Sequence, residues 1–417
     1  MHSLKMERLI RVLKVICQLC CVAPIAKSRL RKLNRLRYLH YVYAFLIVTH
    51  IYLFSSKYVV NVDPSHLTFE IMFYLCEIVV NNLICTLCVF NTFYYATLYR
   101  EIPQKFLKIM KELQELETPQ QPNEWNLLSR LYKELCCYVV GISLLTVISV
   151  GFNYVQVDYN GNEFLRFIGS YQLPNFLLLL KLGQYWLALR FTHLLYKRIN
   201  ETVCQRINHF DLHRSPGRND DMMNAMLPRS YGAHGRARSW YNREFAGIHL
   251  ENCEVLERLR RLYSALDTLL VRVVDMFDLI LLLNFLGSVF VFSINFFELY
   301  KSYNEPRLSR MLWHLQYTAR VFIILLANNA VVNEKSRTTF VLNQLYITSK
   351  ELEHAVNRFL LHLMMRKPVE KVCGIVELDL MLFTGIFSVV SQYVTFLIQI
   401  DLSKDPSKIS KMTDNDN

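Results

Sequence analysis

Apolar residues collect in seven long stretches of the chain, and polar residues are pushed into the segments between them. The stretches run near Leu39–Leu53, Ile71–Leu98, Leu135–Val157, Tyr171–Tyr196, Leu269–Phe297, Leu312–Val332 and Leu380–Ile400. A helix needs about 20 apolar residues to cross the ~30 Å hydrocarbon core, so the pattern predicts seven transmembrane helices. The first is the shortest and is rich in tyrosine and histidine. Two further segments repeat apolar residues every three or four positions, the period of an amphipathic helix. Leu256, Leu259, Tyr263, Leu266 and Leu270 predict a helix over Glu251–Leu270 that continues into the fifth span. Leu342, Leu345, Leu352, Val356, Phe359 and Leu363 predict a second over Thr338–Met365. These stripes need a partner below the membrane, either each other or a second subunit. Asp211–Gly247 holds Pro216, Gly217, Pro228, Gly232, Gly235 and Gly247 with six arginines, the composition of a flexible basic loop.

Composition agrees with a membrane protein. Of 417 residues, 53% are hydrophobic and 20% charged, and the mean hydropathy is +0.18. Soluble domains usually carry about 25% charged residues, so the composition argues against a soluble enzyme and against a disordered scaffold. The net charge of +12 is unevenly placed: residues 1–37, 99–133, 197–272 and 334–378 hold 36 Lys and Arg, whereas 57–70, 158–170, 298–311 and 401–417 hold 8. The positive-inside rule puts the first set in the cytosol, with the N-terminus inside and the C-terminus outside. The charge therefore reports topology, and no nucleic-acid partner is expected. The expected layout is a cytosolic segment 1–37, six spans with their loops over 38–333 (197–268 the longest), a cytosolic helical anchor 334–378, a seventh helix 379–400 and an extracellular tail 401–417. Residues 1–37 carry ten Lys and Arg and lack the clean apolar core and cleavage site of a signal peptide.

None of the eleven cysteines falls in an expected outer loop, so no extracellular disulfide is predicted. Cys17, Cys20 and Cys21 have a CxxC-like spacing without a second ligand pair; reduced thiols, open to acylation near the bilayer, describe them better than a zinc site. The sequon at Asn200 falls on the cytosolic side and should stay bare. Neither a metal nor a cofactor is expected.

The last span carries the sharpest signal. Thr384, Ser388, Ser391, Gln392, Thr395 and Gln399 are spaced so that, at about 100° per residue, they form one polar stripe about 100° wide. Phe383, Ile386, Phe387, Val390, Tyr393 and Leu397 fall opposite. A polar stripe at membrane depth faces protein or water. Tight packing of small polar residues between helices is one solution. A pore lined by symmetry-related copies of the helix is the other.

The run Cys373–Leu380, the helix after it and the segment Gln392–Ile400 resemble the C-terminal signature of insect gustatory receptors, Thr-Tyr, five hydrophobic residues, Gln-Phe. Tyr393 and Gln399 match; Gln392 stands for the threonine, Ile400 for the phenylalanine, and Thr395 is a polar member of the hydrophobic run. The resemblance implies a tetrameric, ligand-gated, non-selective cation channel, homomeric or heteromeric, in the plasma membrane of sensory neurons. Its ligand would be a small-molecule tastant, bitter or aversive compounds mildly preferred. Thr384, Ser388, Gln392, Thr395 and Gln399 would line the pore, Tyr393 would be structural, and the cytosolic helices would join the subunits. Asp401 would either raise cation concentration at the mouth or be an exposed helix-end carboxylate.

A ligand pocket wants apolar and aromatic walls with a few orienting polar groups. The outer halves of the spans supply Tyr74, Glu77, Phe152, Tyr154, Gln172, Asn175, Phe292, Trp313, Gln316, Tyr317 and Arg320. Glu77 and Arg320 stand out, since charges at this depth are costly unless paired or hydrated. They would pair with each other or with Lys181, or contact the ligand. Two other classes compete. A G-protein-coupled receptor needs the opposite orientation, and the chain lacks Asp-Arg-Tyr after span three and Asn-Pro-x-x-Tyr in span seven. A transporter would show matched Gly/Pro interruptions in two halves. Catalytic residues are not expected: the chain has no HExxH and no GxSxG.

Overall fold

The computed structural model describes residues 14–24, 31–60, 69–116, 124–157, 161–212, 234–301, 308–345, 349–365 and 371–404, and the side chains of most of them. The elements are α1 (Arg31–Val60), α2 (Phe69–Tyr94), α3 (Leu98–Leu116), α4 (Glu124–Val157), α5 (Gly161–Phe167), a π-helical turn (Ile168–Gln172), α6 (Leu173–Leu212), α7 (His234–Lys301), α8 (Leu308–Asn343) and α9 (Lys350–Met364). They are followed by a two-strand hairpin, β1 (Lys371–Val372) and β2 (Val376–Glu377), and by α10 (Met381–Lys404). The chain is an all-α membrane protein.

Among the described residues, six helices are long and apolar enough to cross a membrane by themselves, within Tyr38–Ser56, Leu75–Tyr94, Ser129–Phe152, Asn252–Lys301, His314–Asn343 and Met381–Ser403. The stretch Tyr171–Tyr196 lies in the π turn and α6, and falls short of that standard because it carries Lys181, Gln184 and Arg190. Its place in the bundle explains why it tolerates them. α6 packs against α2, α3, α4, α7 and α8, so neighbouring helices cover it on most sides and its polar groups meet protein. Arg190 donates from Nε and Nη2 to the two carboxylate oxygens of Glu134 on α4, at 2.8 and 2.7 Å. Lys181 donates to Thr92 Oγ1 at 2.8 Å and lies 4.5 Å from the Tyr99 ring centroid. The outer helices behave oppositely: Val140, Leu144 and Val147 of α4 are exposed, as a lipid-facing surface should be.

Several boundaries differ from the expectation. α7 begins at His234, not at Glu251, so the end of the expected loop is helical; its two glycines, Gly235 and Gly247, cost only about 1 kcal/mol each in a helix this long. The expected helix over Thr338–Met365 is broken into α8 and α9, because Ser349 caps the second: its Oγ accepts the Leu352 N–H at 3.2 Å. α3 was not anticipated. It is short and strongly amphipathic, burying Ile102, Phe106, Ile109, Leu113 and Leu116 at alternating spacings of four and three. The hairpin was also unforeseen; Cys373 (φ 50°) and Gly374 (φ 69°) take successive left-handed conformations, as a tight primed turn requires. Segment 14–24 is packed into the bundle, with Cys17 and Cys21 buried among α1, α2 and α6, which removes those two thiols from acylation. Asn200 is also buried, its Nδ2 donating to Glu334 on α8, so the sequon is structural.

Below the membrane the stripes of α7 and α9 meet. Leu256, Leu259, Tyr263 and Leu266 join Leu352, Val356 and Phe359 in one buried cluster. Each such side chain removed from water contributes about 1.5–3 kcal/mol. Between lipid-embedded helices no comparable hydrophobic gain exists, so close packing and polar contacts matter more there. The cytosolic end of the bundle also holds a buried ion pair: Lys335 Nζ of α8 lies 2.8 Å from Asp267 Oδ1 of α7, with side chains only 5% and 4% exposed. The Tyr196 hydroxyl of α6 also donates to Asp267, at 3.2 Å. Three helices are tied at one point.

Candidate functional site

The π turn delivers α6 to the site. Wide turns of this kind shift the helix register and are frequent at functional positions. Here the turn buries Tyr171 and Gln172, and Asn175 follows, buried, in the first turn of α6. Glu77 and Asn81 come from α2 at a spacing of four, and Gln316, Tyr317 and Arg320 from one side of α8. The Tyr317 hydroxyl lies 3.2 Å from Glu77 Oε1, 3.0 Å from Asn81 Oδ1 and 3.4 Å from Asn175 Oδ1. A phenol has one proton to donate. The carboxylate is the strongest acceptor of the three and takes it. Arg320 Nη1 donates to Asn175 Oδ1 at 3.3 Å, and the guanidinium covers the Tyr317 ring at 4.1 Å from its centroid. The two costly charges, Glu77 and Arg320, are thus joined through Tyr317 and Asn175. Lys181 belongs to the separate Thr92–Tyr99 group.

The network has unspent hydrogen-bonding capacity. Arg320 Nε, Gln316 Oε1, Asn81 Nδ2 and both amide atoms of Gln172 are buried with no hydrogen-bond partner among the described residues. Buried orphans of this kind are unusual and call for an occupant, whether water or ligand. Two of them border a cavity of about 240 Å³ between α4, α6 and α8. Gln316 and Arg320 form its polar end; Tyr138, Trp186, Leu182 and Ile323 are among its apolar walls. The Tyr138 and Trp186 rings stack at 4.9 Å with 8° between planes, and the Tyr138 hydroxyl donates to Leu179 O at 3.1 Å. Gly183 makes this possible, since a Cβ there would stand 2.6 Å from Tyr138 Cε1. Gly183→Ala is therefore expected to displace the ring and destabilise the protein by about 1–3 kcal/mol. Gly141→Ala, on α4 with nothing within 4 Å of the added carbon, is the matched control and should be neutral to stabilising, by up to about 1 kcal/mol of helix propensity.

Of the expected ligand residues, Glu77, Asn175, Tyr317 and Arg320 converge, with Gln172 and Gln316 buried beside them. Phe152 and Tyr154 are exposed on α4, away from the cavity. Phe292 is buried elsewhere, against His314 of α8 at 5.2 Å and Phe387 of α10 at 5.9 Å. The side chains of Tyr74 and Trp313 lie outside the described residues. Sequence reasoning missed Asn81, Tyr138, Gly183 and Trp186. A glycine flanked by large residues in a polar span was the available clue, but its aromatic partner is 45 residues away and only the fold brings them together. Among the described residues no cluster of His, Cys, Asp and Glu is placed to hold a metal ion.

The last helix is one-sided. Ile386 and Val390 are buried, and Phe383, Phe387 and Val394 pack beside them against the body of the subunit. Thr384, Ser388, Ser391, Gln392, Thr395 and Gln399 are all exposed. Packing within the subunit thus does not account for the polar stripe. The exposed arc also holds an apolar half, with Val389, Tyr393 (57% exposed) and Phe396 (58% exposed) beside the polar one. At the outer end Asp401 is partly buried and lies 3.8 Å from Lys301 Nζ of α7, so it is not a free carboxylate at the helix end.

A family model described as 7tm Chemosensory receptor matches residues 8–404. Two relatives from Drosophila melanogaster are similar over part of their length. Putative gustatory receptor 59e is 33% identical over 135 residues, which are 30% of this chain and 34% of that protein. Putative gustatory receptor 59f is 23% identical over 168 residues, 39% of this chain and 41% of that protein. The chain thus matches between a third and two fifths of these relatives. Among solved structures, the insect olfactory receptor OR5 from Machilis hrabei superposes with a TM-score of 0.60 at 10% identity, covering 95% of this chain and 99% of that one. Its complex with eugenol gives 0.54 with the same identity and coverage. At that identity the likeness concerns the fold, and it spans the cavity, the one-sided last helix and everything between. With the family match running from near the N-terminus to the end of α10, the chain belongs to the 7tm chemosensory receptor family.

Proposed function

We propose that this chain is one subunit of a tetrameric, ligand-gated, non-selective cation channel of the gustatory type, in the plasma membrane of sensory neurons. The carrying observation is the geometry of α10. Its apolar face is packed on its own subunit while its hydroxyl and amide face is left open, the arrangement a central pore needs from each copy. The apolar half of the exposed arc, with Tyr393, would meet the neighbouring copy or lipid. A small-molecule tastant, bitter or aversive compounds mildly preferred, would enter the cavity between α4, α6 and α8 and be oriented by Gln316 and Arg320. The eugenol complex of the olfactory receptor supports a small organic ligand for this fold.

Coupling would run through aromatic packing. Phe322 of α8 lies 5.2 Å from Phe383 of α10, and His314 of α8 reaches Phe387 through Phe292 and Phe296 of α7. A ligand that favours one position of α8 over another shifts α10 by its differential affinity for the two, and by no more. Gln392→Leu is expected to cut single-channel conductance at least about twofold without loss of surface protein, because an apolar ring favours dewetting. Patch-clamp recording of this variant and of Gln399→Ala is the test. Unaltered conductance, gating and permeation in both would remove the pore assignment.

A further inference from the structure

A groove of about 430 Å³ lies between α3 and α7 at the basic end of the bundle, which the charge asymmetry places in the cytosol. It is lined by Lys105 of α3 and by Arg260, Arg261, Ser264, Thr268 and Arg272 of α7. Four cations around one open depression form an anion-binding surface. The internal acids consume only part of it, Arg260 above all. Glu257 is held by Arg260 through both carboxylate oxygens, at 2.9 and 2.6 Å, and reaches Arg261 only at 3.4 Å. Lys105 meets Glu101 at 3.1 Å in a half-exposed pair of a kind that is easily exchanged. Arg272 has no ion-pair or hydrogen-bond partner among the described residues.

The groove also has a direction. At about 100° per residue, Arg261, Ala265, Thr268, Arg272, Leu279 and Leu286 fall on one stripe of α7 about 60° wide. Leu279 and Leu286 are exposed apolar residues on a membrane-spanning part of the helix. The stripe thus passes from lipid-facing leucine to arginine where headgroups would begin. Asp275 stands on its edge, three residues beyond Arg272 and outside the groove lining.

We propose that this groove binds a phosphomonoester, with the Arg261 and Arg272 guanidiniums and the Lys105 ammonium around its oxygens. Forked arginine donors suit the several oxygens of a doubly charged phosphate better than the single charge of a carboxylate. The leucines above the groove favour a phosphorylated inositol lipid of the inner leaflet as the source, its acyl chains lying along Leu279 and Leu286. The proposal is independent of the gating reading.

Native mass spectrometry of the purified full-length chain tests it, with phosphatidylinositol 4,5-bisphosphate, phosphatidylserine and soluble inositol 1,4,5-trisphosphate as probes. The expected result is retention of the bisphosphate lipid over phosphatidylserine, weakened about tenfold in Arg261→Gln/Arg272→Gln and strengthened in Asp275→Asn. Arg261 and Arg272 are exposed, so the double variant should still fold; Arg130→Gln, whose site lies outside the groove, should retain the lipid like the parent chain. Retention of lipid but not of the soluble trisphosphate assigns the site to the membrane, and equal retention assigns it to any phosphomonoester. Equal retention of phosphatidylserine, or undiminished binding in the double variant, overturns the proposal.

Discussion

Lys335→Met should cost about 3–5 kcal/mol of stability, because it leaves the Asp267 carboxylate buried without its cation. Asp267 and its neighbours are sealed where α6, α7 and α8 meet, so water cannot replace the lost ammonium. The Tyr196 hydroxyl would remain, but one neutral donor does not compensate an ion. The double variant Asp267→Leu/Lys335→Met should recover most of the loss, since both charges leave together. Thermal unfolding of the two purified variants, followed by size-exclusion elution, gives the order directly. A double variant no better than Lys335→Met would mean that the pair is not what holds the three helices.

Much of this fold was legible because lipid is a strict solvent. Helices that face hydrocarbon, such as α4 with Val140 and Leu144 outward, must be apolar on that side, and hydropathy finds them. α6 was readable as one of the seven apolar stretches, but not why it can carry Lys181 and Arg190: a helix covered by its neighbours does so when the fold supplies Thr92, Tyr99 and Glu134. The polar stripe of α10 was readable from period alone, but the choice between packing and exposure needed the structure, because spacing does not say which face touches the subunit. α3 and the hairpin at Cys373–Gly374 were not readable, the first because it is neither apolar nor long, the second because two-residue strands carry no pattern. Within the site, Glu77 and Arg320 drew notice for the cost of burying a charge. Their connection through Tyr317 and Asn175 is a property of three helices at once, and residues 77, 175 and 317 are too far apart in sequence to announce it.

Arg320→Leu is expected to abolish both folding and response, and pairing it with Glu77→Gln should separate the two. Alone, it removes the guanidinium over Tyr317 and leaves Glu77 with a phenol and amides for company in a medium that solvates charge poorly, a loss of about 3–5 kcal/mol. Little protein should reach the cell surface. In Glu77→Gln/Arg320→Leu no charge is stranded, the amide that replaces the carboxylate can still accept from Tyr317, and surface expression should return to near the parent level. The cavity, however, keeps only Gln316 at its polar end. If Arg320 orients the ligand, cation currents evoked by a panel of alkaloid, sugar and amino-acid tastants should stay absent in the double variant at ligand concentrations on the order of a hundredfold above those that open the parent channel, the worth of a charge-assisted hydrogen bond or two. Surface labelling and whole-cell recording on the same cells read the two effects separately. Restored expression with an unchanged concentration dependence would make the network a scaffold alone and move the ligand to another part of the receptor.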